Sequence, residues 1–284
     1  MAVSRYPRRI VCLTEETTET LYLLGAGDLV VGVSGYTARP PEARQKPKVS
    51  AFITARFDKI LALDPDLVLA FSDLQADIVA ELIRRGRTVV TFNQRSVEDI
   101  LRMIRQLGGL VGLQSRAEAL ADELERGLDG IRASASRFTH RPRVFFEEWD
   151  APLISGIRWV EELVEAAGGA PLFPELCGAA LAKDRIVNPD AVRDRAPEVI
   201  FASWCGKKVK KATIAGRDGW GAVPAVVHDH IYEIKSTYIL QPGPASLTEG
   251  VRQLHFQLCR AMNVQQDPSL MPISPEPWPY QGPR

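Results

Sequence analysis

Short apolar runs of strand length alternate along this chain with amphipathic runs of helix length. The alternation breaks once: from Ser115 to about Arg137 the sequence is continuously helix-compatible. Before the break, RIVCL, LVVGVS, DLVLAF and TVVTFN read as strands. TEETTETLYLLGAG, FDKILALDP, QADIVAELIRRG and VEDILRMIRQLGGLVG read as helices. Such alternation predicts an α/β chain with largely parallel sheets, because a parallel pair needs a crossover between its strands. In the break, apolar residues recur at Ala117, Leu120, Leu124, Leu128 and Ile131 with charges between them. Some 23 residues at 1.5 Å each span roughly 35 Å, the diameter of a small domain. Two readings stand: an ordinary surface helix, or a rigid strut joining two α/β lobes.

After Arg143 the alternation resumes with VFFEEW, WVEELVEAAGG, AVRDRAP, EVIFAS, HIYEI and GVRQLHFQLCRAMN. The predicted organisation is an N-terminal α/β lobe over residues 1–113, a linking helix over 114–138, a second α/β lobe over 139–264 and a Pro-rich tail over 265–284. The tail lacks periodicity and is expected to be extended or disordered.

The 284 residues carry 35 basic and 35 acidic side chains, a balance that argues against nucleic-acid binding. No apolar run reaches the roughly 18–20 residues that cross a bilayer, so no membrane insertion is expected. MAVSRYPRR runs directly into IVCL, leaving no space for a secretory signal. The expectation is a cytoplasmic protein, or an extracytoplasmic one whose leader has been removed. Cys12, Cys177, Cys205 and Cys259 form no CxxC pair, which predicts reduced thiols and no metal site. Neither GxxxxGK[ST] nor a GxGxxG after a strand occurs, so ATP and NAD chemistry have no support.

LGAGDLVVGVSGYTARPPEARQKPKVSAF followed by FDKILALDPDLVLA resembles the helical-backbone substrate-binding proteins of ABC importers. WVEELVEAAGGAPLFPE, PDAVRDRAPEVIFAS, RDGWGAVPAVVHDHIYEI and LQPGPASLTEGVRQL follow that family's order, and the resemblance spans nearly Arg9 to Met262. It implies two Rossmann-like lobes joined by one long helix, with the ligand in a cleft between them. It implies a cobalamin, haem or ferric siderophore as ligand, bound reversibly without catalysis or a required cofactor. An ABC permease is the implied partner, and the chain is expected to be a monomer. In this family a carboxylate on each lobe meets arginines of the permease; Asp77, Glu81 and Glu161 are among the acids open to that role.

Ligands of α/β sheets bind beyond the carboxyl ends of the strands, so the candidate residues are those that follow each one. They are Tyr36, Phe52 and Arg95 in the first lobe. In the second they are Glu148, Trp149, Asp150, Trp159, Lys183, Arg185, Trp204, Cys205, Lys207 and Gln241. Rigid aromatic rings among charged groups suit a flat corrinoid or tetrapyrrole whose rim carries amides or carboxylates. Trp149 and Trp159 could equally pack in a core, and Lys183 and Arg185 could belong to a solvated loop. Trp220 is read as structural, and Glu15 and Glu16 as first-turn helix acids. Cys205 is open between a small packing residue, a contact to the ligand's metal and a nucleophile. A cytoplasmic carrier or sensor of the same ligand is one alternative. A cleft enzyme using Cys205 with Glu147, Glu148 and Asp150 is another.

Overall fold

The computed structural model describes residues 5–273. The chain forms two compact units. One comprises the residues up to Gln94 together with Glu98–Glu123; the other comprises Arg95–Val97 and Leu124–Ile273.

The first unit is built on a six-stranded sheet. Its strands are β1 (Ile10–Cys12), β2 (Val30–Ser34), β3 (Lys48–Ala51), β4 (Thr54–Ala55), β5 (Leu67–Phe71) and β6 (Val89–Phe92), in the order β4-β3-β2-β1-β5-β6. All neighbours are parallel except the β3–β4 hairpin. The chain moves outward from β1 through β2 to β3 and then crosses to β5. The direction of winding therefore reverses between β1 and β5, where such sheets open a crevice at the carboxyl edge. β1 and β5 are buried throughout, as strands covered on both faces must be. Val11, Leu13, Val49, Ile60, Val68, Ile78 and Leu82 form one core beneath them. The helices are α1 (Glu15–Leu23), α2 (Phe57–Ala62), α3 (Ala76–Arg84) and α4 (Val97–Leu110). The apolar period of the long helical stretch becomes α5 (Gln114–Ala135), within which the boundary between the units falls. Gly108 lets α4 meet α5 closely: a Cβ there would overlap that of Ala117.

The second unit carries β7 (Arg143–Asp150), β8 (Leu153–Ser155), β9 (Ala170–Pro171), β10 (Val199–Ala202) and β11 (Ile231–Glu233). Their order is β11-β10-β7-β8, with β9 also on β7. β8 alone runs antiparallel to its neighbour. The helices are α6 (Arg158–Ala166), α7 (Pro189–Asp194), α8 (Lys211–Ala215), α9 (Pro224–Val227), α10 (Ser236–Ile239) and α11 (Val251–Ala261). Phe145, Ile200, Phe173 and Trp220 are central to its main core. Trp220 is fully buried, as its structural reading requires. β3, β4, β8 and β9 have two to four residues each, too few for a period-2 signal to stand out from loop sequence.

The start of the predicted tail departs from the extended expectation. The carbonyl of Gln265 accepts from Arg137, and Pro268–Leu270 forms a turn capped by Asp267. The Ile273 amide donates to Glu249. Residues 274–284 of that predicted tail lie outside the described residues.

Candidate functional site

In the second unit, the register of β10 on β7 pairs Ala202 with Glu147. Beyond that pair, Trp204 and Trp149 converge on one ammonium, that of Lys207, and neither indole is loose. Trp204 Nε1 donates to Glu147 Oε1 at 3.1 Å, and Trp149 Nε1 donates to the carbonyl of Ala151 at 3.0 Å. Lys207 lies against both rings, its ammonium 4.6 Å from the Trp149 centroid and 4.7 Å from that of Trp204. That ammonium also donates to both oxygens of Asp150, at 2.7 and 2.8 Å.

Successive side chains of a strand face opposite ways, and the two glutamates of β7 accordingly have different partners. Glu147 is fully buried and takes a two-pronged hydrogen bond from Arg217, at 2.7 and 2.8 Å. Burial pushes its carboxyl up, while Arg217 and Trp204 pull it back. Glu148 receives a second fork from Arg185, at 2.7 and 3.0 Å, and the same guanidinium donates to the Ser155 carbonyl. Glu161 lies within the charge field of that network. Burial lifts its carboxyl to about 8 despite the favourable charge of Arg185, and its Oε2 has no partner.

In the first unit, the carboxyl edge is polar at its centre and apolar at its rim. Thr14, Ser34, Ser50 and Ser72 lie at or near the ends of β1, β2, β3 and β5, and all are buried. Glu15 and Glu16 open α1, as their helix-acid reading expects, but they lie inside the fold. Burial raises them to about 7 and about 8. Glu19 is paired with Arg39 at 3.1 Å. Gln75 is buried and clamps the rim: it accepts from the Phe71 amide at 2.9 Å and donates to the Phe52 carbonyl at 2.6 Å. The β3–β4 hairpin is thereby fixed against the turn after β5, and Phe52 turns sharply with φ of 20°. Three large apolar side chains near these turns face solvent: Ile53 at 65%, Tyr36 at 55% and Leu74 at 45% exposure.

The sequence-predicted residues therefore divide. Trp149, Asp150, Trp204 and Lys207 form one cluster. Glu148 of β7 pairs with Arg185 of the 182–185 turn, and Arg185 is buried in the fold rather than in a solvated loop. Trp159 is buried and donates to the carbonyl of Ile239 at 3.0 Å. Lys183 and Cys205 are exposed, while Phe52, Arg95 and Gln241 are half-buried. Glu161 is buried and is no surface acid for a permease, whereas Asp77 is exposed. Sequence reasoning missed Ile53 and Leu74, whose only signal is an apolar side chain in a turn. It also missed Arg217, whose signal is a cation three residues before the core Trp220, over whose ring it lies at 4.7 Å. A concavity of about 510 Å³ beside β11, lined by Lys211, His228, His230, Tyr232 and Arg260 among others, contains none of the predicted residues. Among the described residues no group of three His, Cys, Asp or Glu is placed to hold a metal ion.

The model of the periplasmic binding protein family matches residues 10–238, most of the chain. The chain belongs to the periplasmic binding protein family. An uncharacterised ABC-transporter substrate-binding lipoprotein of Bacillus subtilis is 28% identical over 266 residues, covering 89% of this chain and 81% of that protein. A vitamin B12-binding protein of Vibrio parahaemolyticus is 27% identical, covering 88% and 89%. Among solved structures, a periplasmic haem-binding protein of a Roseiflexus species in apo form superposes with a TM-score of 0.77. It is 24% identical and covers 90% of this chain and 99% of its own. That likeness carries the fold: a periplasmic binding protein of two parallel-sheet lobes and a long helix. The Bacillus protein is named a lipoprotein and the Roseiflexus protein periplasmic, and the cytoplasmic expectation finds no support among the relatives.

Proposed function

We propose that this periplasmic binding protein captures a metal-bearing organic ligand of the corrinoid type outside the cytoplasmic membrane and delivers it to an ABC permease. The observation that carries the reading is the solvent-facing apolar rim of the first unit. Tyr36, Ile53 and Leu74 stand exposed beside Phe52, at the edge where α/β sheets take ligands. Exposed apolar groups held in place by a buried clamp suit a broad, flat, rigid ligand better than a sugar or a bare ion. In the second unit, Trp149 offers an indole locked by its own hydrogen bond, at the corresponding edge of that sheet. Lys183 and Lys207 are exposed cations, as are Lys208 and Lys210 beside Lys207. The metal would arrive within the ligand. The vitamin B12-binding relative supports a corrinoid as the first choice, and haem and ferric siderophores are the competing cargoes.

The residues can be tested one by one. Phe52→Ala and Trp149→Ala are each expected to weaken cobinamide binding about tenfold or more, as loss of a central aromatic contact does. Cys205→Ala should leave it within about twofold. An absorption titration of each purified variant reads the result. Undiminished binding in both aromatic variants would show that these residues are not the contact surface.

A further inference from the structure

Lys207 is an unusual occupant of its surroundings. Its ammonium has an indole on each of two sides, at 4.6 and 4.7 Å, and a carboxylate chelating it at 2.7 and 2.8 Å. Two aromatic faces and one anion make up the chemistry of an ammonium receptor. The walls are built independently of the lysine. Trp149 is tied to the Ala151 carbonyl, and Trp204 is tied to Glu147, which Arg217 holds in turn. Asp150 is fixed at the end of β7, paired with Leu153 of β8. The lysine itself arrives on a loop that turns through Gly206 at φ of 76°, and its side chain remains 44% exposed. A preorganised pocket filled by a partly exposed, flexibly tethered side chain can be vacated without rebuilding the fold.

We propose that Trp149, Trp204 and Asp150 form a binding site for a small-molecule ammonium group, which Lys207 fills as an internal ligand until a cationic group of the cargo displaces it. The site takes a primary or quaternary ammonium. A neutral or anionic group of the same size lacks the attraction of Asp150 and the electrostatic pull of the ring faces. Trp149 also serves the functional reading above, but the ammonium site stands whether or not the cargo is a corrinoid. A tethered competitor acts at a local concentration in the ~mM range, so the wild-type site is closed to weak free cations and opens when the lysine is removed.

The test titrates tetramethylammonium chloride into wild type, Lys207→Ala and Lys207→Met, with sodium chloride as the control and indole fluorescence as the readout. Both variants should show saturable binding in the ~mM range, and binding to wild type should be weaker by about twofold or more. Trp149→Ala or Asp150→Asn added to Lys207→Ala should remove it. Phe52→Ala added to Lys207→Ala should leave the tetramethylammonium response intact, which separates this site from the corrinoid reading. In wild type, proton NMR should show the Lys207 ε-methylene shifted upfield by the two rings, a shift lost in Trp149→Ala. No saturable response in the folded Lys207 variants, or no upfield shift in wild type, would overturn the proposal.

Discussion

Replacing Arg217 with alanine should destabilise the protein by about 3–5 kcal/mol, the usual cost of stripping one partner from a buried ion pair. Glu147 has no exposed surface, and both its oxygens are engaged by the two guanidinium prongs. Without them a desolvated carboxylate is left with the Trp204 indole alone. Burial already raises the Glu147 carboxyl, and Arg217 opposes that rise. The variant's carboxyl should therefore bind a proton at still higher pH. The sign follows: the deficit is largest at alkaline pH, where the charge must be buried, and shrinks as acid neutralises it. Chemical denaturation of wild type and variant at pH 5 and pH 8.5 reads both the size and its pH dependence. Pairing Arg217→Met with Glu147→Gln should recover much of the loss, because no buried charge then remains. A deficit below about 1 kcal/mol would mean that the pair is solvated and worth no more than a surface bridge.

Wild-type stability should itself fall as pH rises from about 4.5 to about 8. Three buried carboxyls set that window: Glu15 raised to about 7, and Glu16 and Glu161 to about 8, each mainly by desolvation. In this range the folded chain holds protons that the unfolded chain has released. Stability therefore decreases with pH, and it levels off above the folded values. A tenfold difference in proton affinity between the folded and unfolded chain is worth about 1.4 kcal/mol, so Glu16 and Glu161 each contribute on the order of several kcal/mol. His255 opposes the trend in part: burial lowers it, so its contribution is lost as pH falls. Unfolding midpoints between pH 5 and 9 measure the slope. Glu16→Gln and Glu161→Gln should each flatten it and raise stability at pH 8.5, since the amide needs no desolvated charge. Slopes unchanged in both variants would rule out the burial of these acids.

The fold was largely legible because its signals are local and periodic. The long apolar period from Ala117 to Ile131 becomes α5 nearly residue for residue, and the buried strands announce themselves as VIFA and LVLAF. The site was legible only as a set of residue types. Trp149 lies near the end of β7 and Trp204 follows β10, but their meeting at Lys207 depends on how the two strands pair, which no local pattern encodes. The different fates of Glu147 and Glu148 follow from strand alternation, yet Arg217 lies 70 residues from Glu147 and carries no mark of its partner. Trp159 illustrates the reverse case. Its place after β8 resembles a ligand position, while the first turn of α6 directs its indole inward to Ile239. Ile53 and Leu74 escaped notice because an apolar residue in a turn is ordinary in sequence. Their exposure becomes informative once Gln75 is seen to fix the turns that bear them.

Whether this periplasmic binding protein holds a metal-bearing macrocycle can be decided by calorimetric titration of the purified chain with cyanocobalamin, cobinamide and haemin. The expected result is one saturable site for a corrinoid, with a dissociation constant of about 1 μM or tighter, near −8 kcal/mol. Saturation by haemin alone would keep the binding role and replace the corrinoid with a tetrapyrrole. No saturable binding of any of the three would refute the macrocycle reading.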